Sequence, residues 1–127
     1  MNKPDDLHYP IILLLDSSAR EQTKLALIIN GEVKELFSQS RAQELPKLIE
    51  ELLKREKLPS SKLRAIAVIA QGESLTGIRI GITTANTLAW QWKIPVLKID
   101  HPGFEQAIQT LSSNKHIRAE KAITDSI

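Results

Sequence analysis

The sequence predicts an α/β domain built on a mixed five-stranded sheet with flanking helices. Three observations point there. Short runs rich in β-branched and aliphatic residues recur along the chain, an Asn30-Gly31 pair joins the second run to the third, and the apolar spacing then changes from strand-like to helix-like. A length of 127 residues, with 42% hydrophobic and 25% charged, suits one globular domain. No apolar run approaches the roughly 18 to 20 residues that span a bilayer. The start has no basic region followed by an apolar one, so neither a secretory leader nor a membrane partner is expected. Cysteine is absent, which excludes disulfides, thiol catalysis and cysteine-ligated metal. A cytoplasmic location follows as the expectation. The charge is +2, from 17 basic against 15 acidic residues, and it is scattered despite a pI near 9.0. A phosphate-tracking surface would cluster its Lys and Arg on one face, so direct nucleic-acid binding is not expected.

The elements follow in order. Residues 1–8 are polar and read as a flexible lead, residues 9–112 as the domain, and residues 113–127, where apolar residues thin out, as a loose tail. Tyr9 to Leu15 suits a central strand buried on both faces and stops at the turn-forming Asp16-Ser17-Ser18. Thr23 to Ile29 and Val33 to Phe37 flank Asn30-Gly31, which supplies the positive φ angles of a tight hairpin. Leu45, Leu48, Ile49, Leu52 and Leu53 then form one amphipathic stripe. Ser40 with Gln43 resembles a capping box before it, while Pro46 implies a helix that starts near Leu45 or is bent in its first turn. Leu63 to Ala70 is a second buried strand, and the turn Gln71 to Leu75 leads to a helix from about Thr76 to Trp92. Its core stripe is Ile78, Ile82, Ala85, Ala89 and Trp92. Pro95 to Ile99 is a fifth strand and Pro102 to Leu111 a third helix. The order βββαβαβα is the layout of the ribonuclease-H-like, or actin-like ATPase, half-domain.

Local chemistry is sparse. Asp16 closes the first strand, where a carboxylate suits a divalent metal, yet it equally caps a turn with Ser17 and Ser18. A small metal-dependent nuclease of this class would recruit Asp16, Glu73 and Asp100 to clamp two metal ions. His8, His101 and His116 are far apart and form no His-x-x-x-His pair, so no metal site is expected. Ser17 and Ser18 have no histidine partner that would make either a nucleophile.

Gly72 to Gly81 is the most specific stretch. Gly72 permits a turn, Thr76 is placed to cap a helix, and Gly77 with Gly81 leaves a bare notch. Gly77, Gly81, Thr84 and Leu88 share one side, open either to a partner helix or to the protein's own first helix. Arg79, Thr83, Asn86 and Trp90 form a stripe at i, i+4, i+7 and i+11 beside the notch. Trp and Arg are the residue types most enriched at binding hot spots.

These residues resemble the TsaB, or YeaZ, family of tRNA threonylcarbamoyladenosine biosynthesis. Its hallmark is a strand followed by Gly-Pro-Gly-Ser-Phe-Thr-Gly-Leu-Arg-Ile-Gly. Ser74, Thr76, Gly77, Arg79, Ile80 and Gly81 match it, with Leu75 for Phe and Ile78 for Leu. Asp16-Ser17-Ser18 is similar to the family's Asp-Thr-Ser, Gly31-Glu32-Val33 to its hairpin turn, and Leu45-Pro46-Lys47-Leu48-Ile49 to the start of its first long helix. Ala67-Val68 and Ile94-Pro95-Val96 agree as well, so the resemblance runs in one register over about residues 9 to 105.

The resemblance implies a non-catalytic scaffold that forms a heterodimer with a TsaD-like catalytic subunit, with a TsaE-like ATPase as a further partner and tRNA contacted only indirectly. It implies an interface on the first two helices, here Gly77, Arg79, Gly81, Thr83, Thr84, Asn86, Leu88 and Trp90. Asp16, Ser17, Gln71, Gly72, Glu73 and Ser74 are then positions of a degenerate phosphate loop, because Gln71 and Glu73 stand where the family has its loop glycines. Asn86 and Thr87 likewise replace its Lys-Gly. Family members are roughly twice this length. No catalytic residue, cofactor or metal is therefore expected in the isolated chain, with nucleotide or magnesium only at a complex interface. Self-association of the same helical face into a homodimer is the remaining expectation.

Overall fold

The computed structural model describes residues 10–113. The expected lead, the tail beyond Ser113, and His8 and His116 lie outside the described residues. Because Ile12–Asp16 (β1) has no polar alternation, both of its faces must be covered, and all five residues are buried. The same holds for Ala65–Ile69 (β4). The two pair in parallel from Ile12 opposite Ala65 to Leu15 opposite Val68, at the centre of the sheet. Thr23–Ile29 (β2) and Glu32–Ser38 (β3) form the expected hairpin, with Asn30 at φ 50° and Gly31 at φ 86° in its turn. Val96–Ile99 (β5) pairs in parallel with β4. The sheet order is β3-β2-β1-β4-β5.

Successive side chains of a strand point to opposite faces, so β1 serves two cores at once. Leu13 and Leu15 join the core beneath Leu45–Arg55 (α1) and Leu75–Trp92 (α2), while Ile12 and Leu14 join the one beneath Phe104–Ser113 (α3). On α1, Leu45, Leu48, Ile49 and Leu52 are buried as their spacing requires. A 3-10 turn, Ala42–Glu44, precedes it, and Pro46 is tolerated because it falls in the first turn, where no amide partner is needed. The Ser40–Gln43 capping box does not form: the Ser40 carbonyl accepts from Thr23 Oγ1 (3.0 Å), and its hydroxyl pairs with that of Ser38.

Helix α2 is capped by Ser74 rather than Thr76, with the Ser74 hydroxyl accepting from the Gly77 amide at 3.0 Å. It ends at Lys93 in the left-handed region (φ 60°), followed by the Ile94 amide donating to the Ala89 carbonyl (2.9 Å) and then by Pro95. On the far face, Phe37 and Phe104 meet edge to face with centroids 5.8 Å apart, and the Lys24 ammonium lies within 6 Å of both rings (5.8 and 5.6 Å). This ties α3 to the β2–β3 hairpin. No helix among the described residues is long and apolar enough to cross a membrane.

Leu14 is fully buried in the central strand. Leu14→Ala should cost about 3 kcal/mol through lost burial and the cavity left behind. Urea unfolding checks it, with the midpoint falling at an unchanged m-value.

Candidate functional site

The C-terminal ends of the central strands β1 and β4 meet the start of α2 in a seam at one end of the sheet. Asp16 is buried, and its Oδ1 accepts from the Ser18 amide (3.0 Å) and from the Ser18 hydroxyl. This is the turn-capping role anticipated as its plainer reading. Ser17 is 1% exposed and donates from Oγ to the Gly77 carbonyl at 2.7 Å. The Ser74 amide donates to the Ser18 carbonyl at 2.9 Å. Glu73 is exposed, and its Oε1 accepts from the Arg20 amide at 3.3 Å. Gln71 and Gly72 are exposed on the same turn, and a Cβ on Gly72 would stand 2.4 Å from the Ser18 Cβ. The Ser17–Gly77, Ser74–Ser18 and Arg20–Glu73 hydrogen bonds join the two loops across the seam.

The Gly77/Gly81 notch was expected to admit a helix, either a partner's or α1. It holds neither. A Cβ on Gly77 would lie 2.1 Å from the Ser17 carbonyl oxygen, and one on Gly81 would lie 2.4 Å from the Ser17 hydroxyl. The occupant is the β1–β2 loop. A helix-period reading finds the bare stripe but cannot say that the close neighbour is a loop 60 residues earlier.

The other candidates sort by their position around α2. Thr84 and Leu88 are half-buried, and Leu88 with Trp92 turns toward α1 to line an apolar groove of about 620 Å³ with Pro46, Ile49, Leu53 and Leu58. Arg79 and Thr83 are exposed, Asn86 is half-buried, and Trp90 is 83% exposed. Leu75, which the pattern did not single out, is 68% exposed on the first turn of the helix. Trp90 and Asn86 share a second groove of about 670 Å³ with Ala89, Ile94, Pro95 and Val96.

Asp16, Glu73 and Asp100 do not converge. Asp100 follows β5, two strands from Asp16 and so roughly 10 Å away in the sheet direction. Among the described residues no group of three His, Cys, Asp or Glu side chains comes together to hold a metal ion. A polar hollow of about 600 Å³ borders the seam, lined by Ala19, Glu21, Gln22, Gln39, Arg41 and Glu73. Its two carboxylates and one guanidinium make it a mixed-charge surface.

The strand order, the two-sided core and the loop seam define a ribonuclease-H-like half-domain of the YeaZ kind. YeaZ from Pseudomonas aeruginosa superposes with a TM-score of 0.66 at 29% identity, covering 72% of this chain and 44% of that one. A second Pseudomonas aeruginosa structure, described as having similarity to peptidase YeaZ, matches with the same score and identity over 43% of its length. Residues 13–115 match the family model TsaD, tRNA N6-adenosine threonylcarbamoyltransferase, and the chain belongs to that family. It is 33% identical over 89 residues to tRNA N6-adenosine threonylcarbamoyltransferase of Geotalea daltonii. That stretch is 69% of this chain and 26% of the relative, so the chain spans about a quarter of that relative and less than half of the solved structures.

Because Ser17 fills the notch, Gly81→Leu should destabilise the chain on its own by about 3 kcal/mol, the upper range for overpacking. Ser17→Ala removes one buried hydrogen bond and should cost about 1 kcal/mol. Thermal melts of both variants, with no partner present, check the ordering.

Proposed function

We propose that this chain is a non-catalytic, TsaB-like scaffold that supports a TsaD-like catalytic subunit in threonylcarbamoyl transfer to tRNA adenosine, in the cytoplasm. The observation that carries the reading is the outward flank of α2. Leu75, Arg79, Thr83 and Trp90 are all exposed along one helix, and Trp90 is the most exposed large apolar side chain among the described residues. An aromatic ring left in water on the same helix flank as an exposed arginine has the residue types of a binding hot spot. Membership of the TsaD family and the fold shared with YeaZ support a partner within the same tRNA-modification assembly.

The seam supports placing the chemistry on the partner. In a glycine-rich turn, backbone amides can approach a phosphate closely. Here Glu73 puts a carboxylate on that turn, and the carboxylate accepts from the Arg20 amide. Nucleotide or magnesium would then lie at the interface with the partner, a TsaE-like ATPase would join the assembly, and tRNA would be met through the catalytic subunit.

Titration calorimetry with a TsaD-like protein tests this. Trp90→Ala should weaken binding by about 2 kcal/mol, roughly thirtyfold, with an unchanged melting temperature because the ring touches solvent rather than the core. Turnover of ATP by the isolated chain above a protein-free control would overturn the non-catalytic reading.

A further inference from the structure

We infer that the end of the sheet where its parallel strands begin is a contact for an RNA backbone, built on Lys57, Lys62, Arg64 and Lys93. Helices α1 and α2 both finish there, and they finish in the same way. The Lys57 amide donates to the Lys54 carbonyl (3.1 Å) and the Leu58 amide to the Leu53 carbonyl (2.9 Å). At the end of α2 the Lys93 amide donates to the Trp90 carbonyl (3.3 Å) and the Ile94 amide to the Ala89 carbonyl (2.9 Å). Each pair of bonds closes a helix end around one residue in the left-handed region, Lys57 at φ 54° and Lys93 at φ 60°. Glycine takes that conformation without strain, whereas a residue with a side chain does not. The attraction of a cation to a helix C-terminus explains a lysine somewhere in the last turn. It does not explain lysine at the one position that favours glycine, in two neighbouring helices. Backbone strain of this kind gathers at functional sites.

The loop into β4 adds two more cations. The Arg64 amide donates to the Ile11 carbonyl (2.8 Å) and the Ile66 amide to the Pro95 carbonyl (3.0 Å), which brings Arg64 level with the end of α2. Lys57 and Trp92 line one groove, so the two helix ends stand side by side. Lys57, Lys62, Arg64 and Lys93 are all exposed, and none makes an ion pair with another described residue. Glu32 and Glu56, which lie at this end, are already paired with Lys34 and Arg55. At the opposite end, Arg20 and Arg41 are interspersed with Asp16, Glu21, Glu73 and Asp100, so the field there is mixed. Cations spaced along the sequence are thus gathered by the fold on one end, the clustering that a phosphate-tracking surface needs. Assigning the polyanion as RNA rests on the proposed role in tRNA modification. The contact is to phosphates, carries no sequence preference, and adds to the one made through the catalytic subunit.

Fluorescence anisotropy of a labelled, unmodified tRNA transcript with the whole chain, across about 20 to 200 mM salt, tests the surface. Four phosphate contacts give a slope of log affinity against log salt of roughly −3. Lys57→Gly combined with Lys93→Gly removes two charges and supplies the residue that the backbone prefers. That variant should bind about tenfold more weakly at low salt, flatten the slope by about two, and melt no lower than the parent. Lys62→Ala combined with Arg64→Ala, outside both helix closures, should weaken binding to a similar extent. Arg20→Ala combined with Lys47→Ala, the same charge loss at the other end, should leave affinity and slope unchanged. No binding at the lowest salt, an unchanged slope in both basic-end variants, or an equal loss from the control pair overturns the inference. Polyglutamate that displaces the labelled tRNA as readily as unlabelled tRNA also overturns it, in favour of an acidic protein partner. No TsaD-like protein is present in these measurements, so the Trp90 result for the scaffold stands or falls separately.

Discussion

Ser17 is pressed into a notch that only glycine leaves open, and the arrangement of the site follows from that seat. Any Cβ at residue 77 would overlap the Ser17 carbonyl oxygen, and any at 81 its hydroxyl. Glycine in a helix interior costs about 1 kcal/mol relative to alanine, so two of them one turn apart need a compensating contact. The Ser17–Gly77 hydrogen bond and the Ser74–Ser18 backbone bond provide it. Together they join the end of β1 to the start of α2 as one body. Asp16, Ser18, Glu73 and Ser74 take their positions from that union. With Gly77 and Gly81 committed to Ser17, the first half of α2 keeps its inner side closed to another molecule.

The sheet and its two cores were legible because burial on both faces leaves a plain signature: Ile12 to Leu15 and Ala65 to Ile69 contain no polar residue, and both are central. The hairpin was legible because Asn30-Gly31 has few conformational alternatives. The helix starts were less so. Ser40 and Gln43 have capping-box spacing, yet Thr23 and Ser38, distant in sequence or on another element, claim the serine first. Likewise Ser74 caps α2 in place of Thr76, because its amide is held by the Ser18 carbonyl and its hydroxyl then meets the Gly77 amide.

At the site, residue membership could be read and contacts could not. The motif placed Asp16 to Ser18 and Gln71 to Ser74 in loops after the first and fourth strands, and those loops meet at the ends of the two central strands. The notch looked like a docking feature because helix periodicity reports which residues share a side and says nothing about what lies opposite. Trp90 was legible as off the core stripe, and its exposure agrees. The Lys24–Phe37–Phe104 cluster had no such signal, since its members come from β2, β3 and α3 and meet only once the sheet has formed.

Electrostatics then separates the two ends of α2. At its N-terminus the seam satisfies its own amides with its own carboxylates: Asp16 serves Ser18, and Glu73 serves Arg20. A further anion about 4 Å from Glu73 would meet a repulsion of about 1 kcal/mol in water, rising to about 4 kcal/mol at the lower effective dielectric of a protein surface. At its C-terminus the balance reverses, with Lys93 in the same groove as the uncovered Trp90 indole and no carboxylate among that groove's lining residues. Burial of apolar area favours association at this second end, while charge disfavours an anion at the first. The seam fixes how α2 is seated, and the flank that this leaves in water is the one the proposed scaffold would present to its partner.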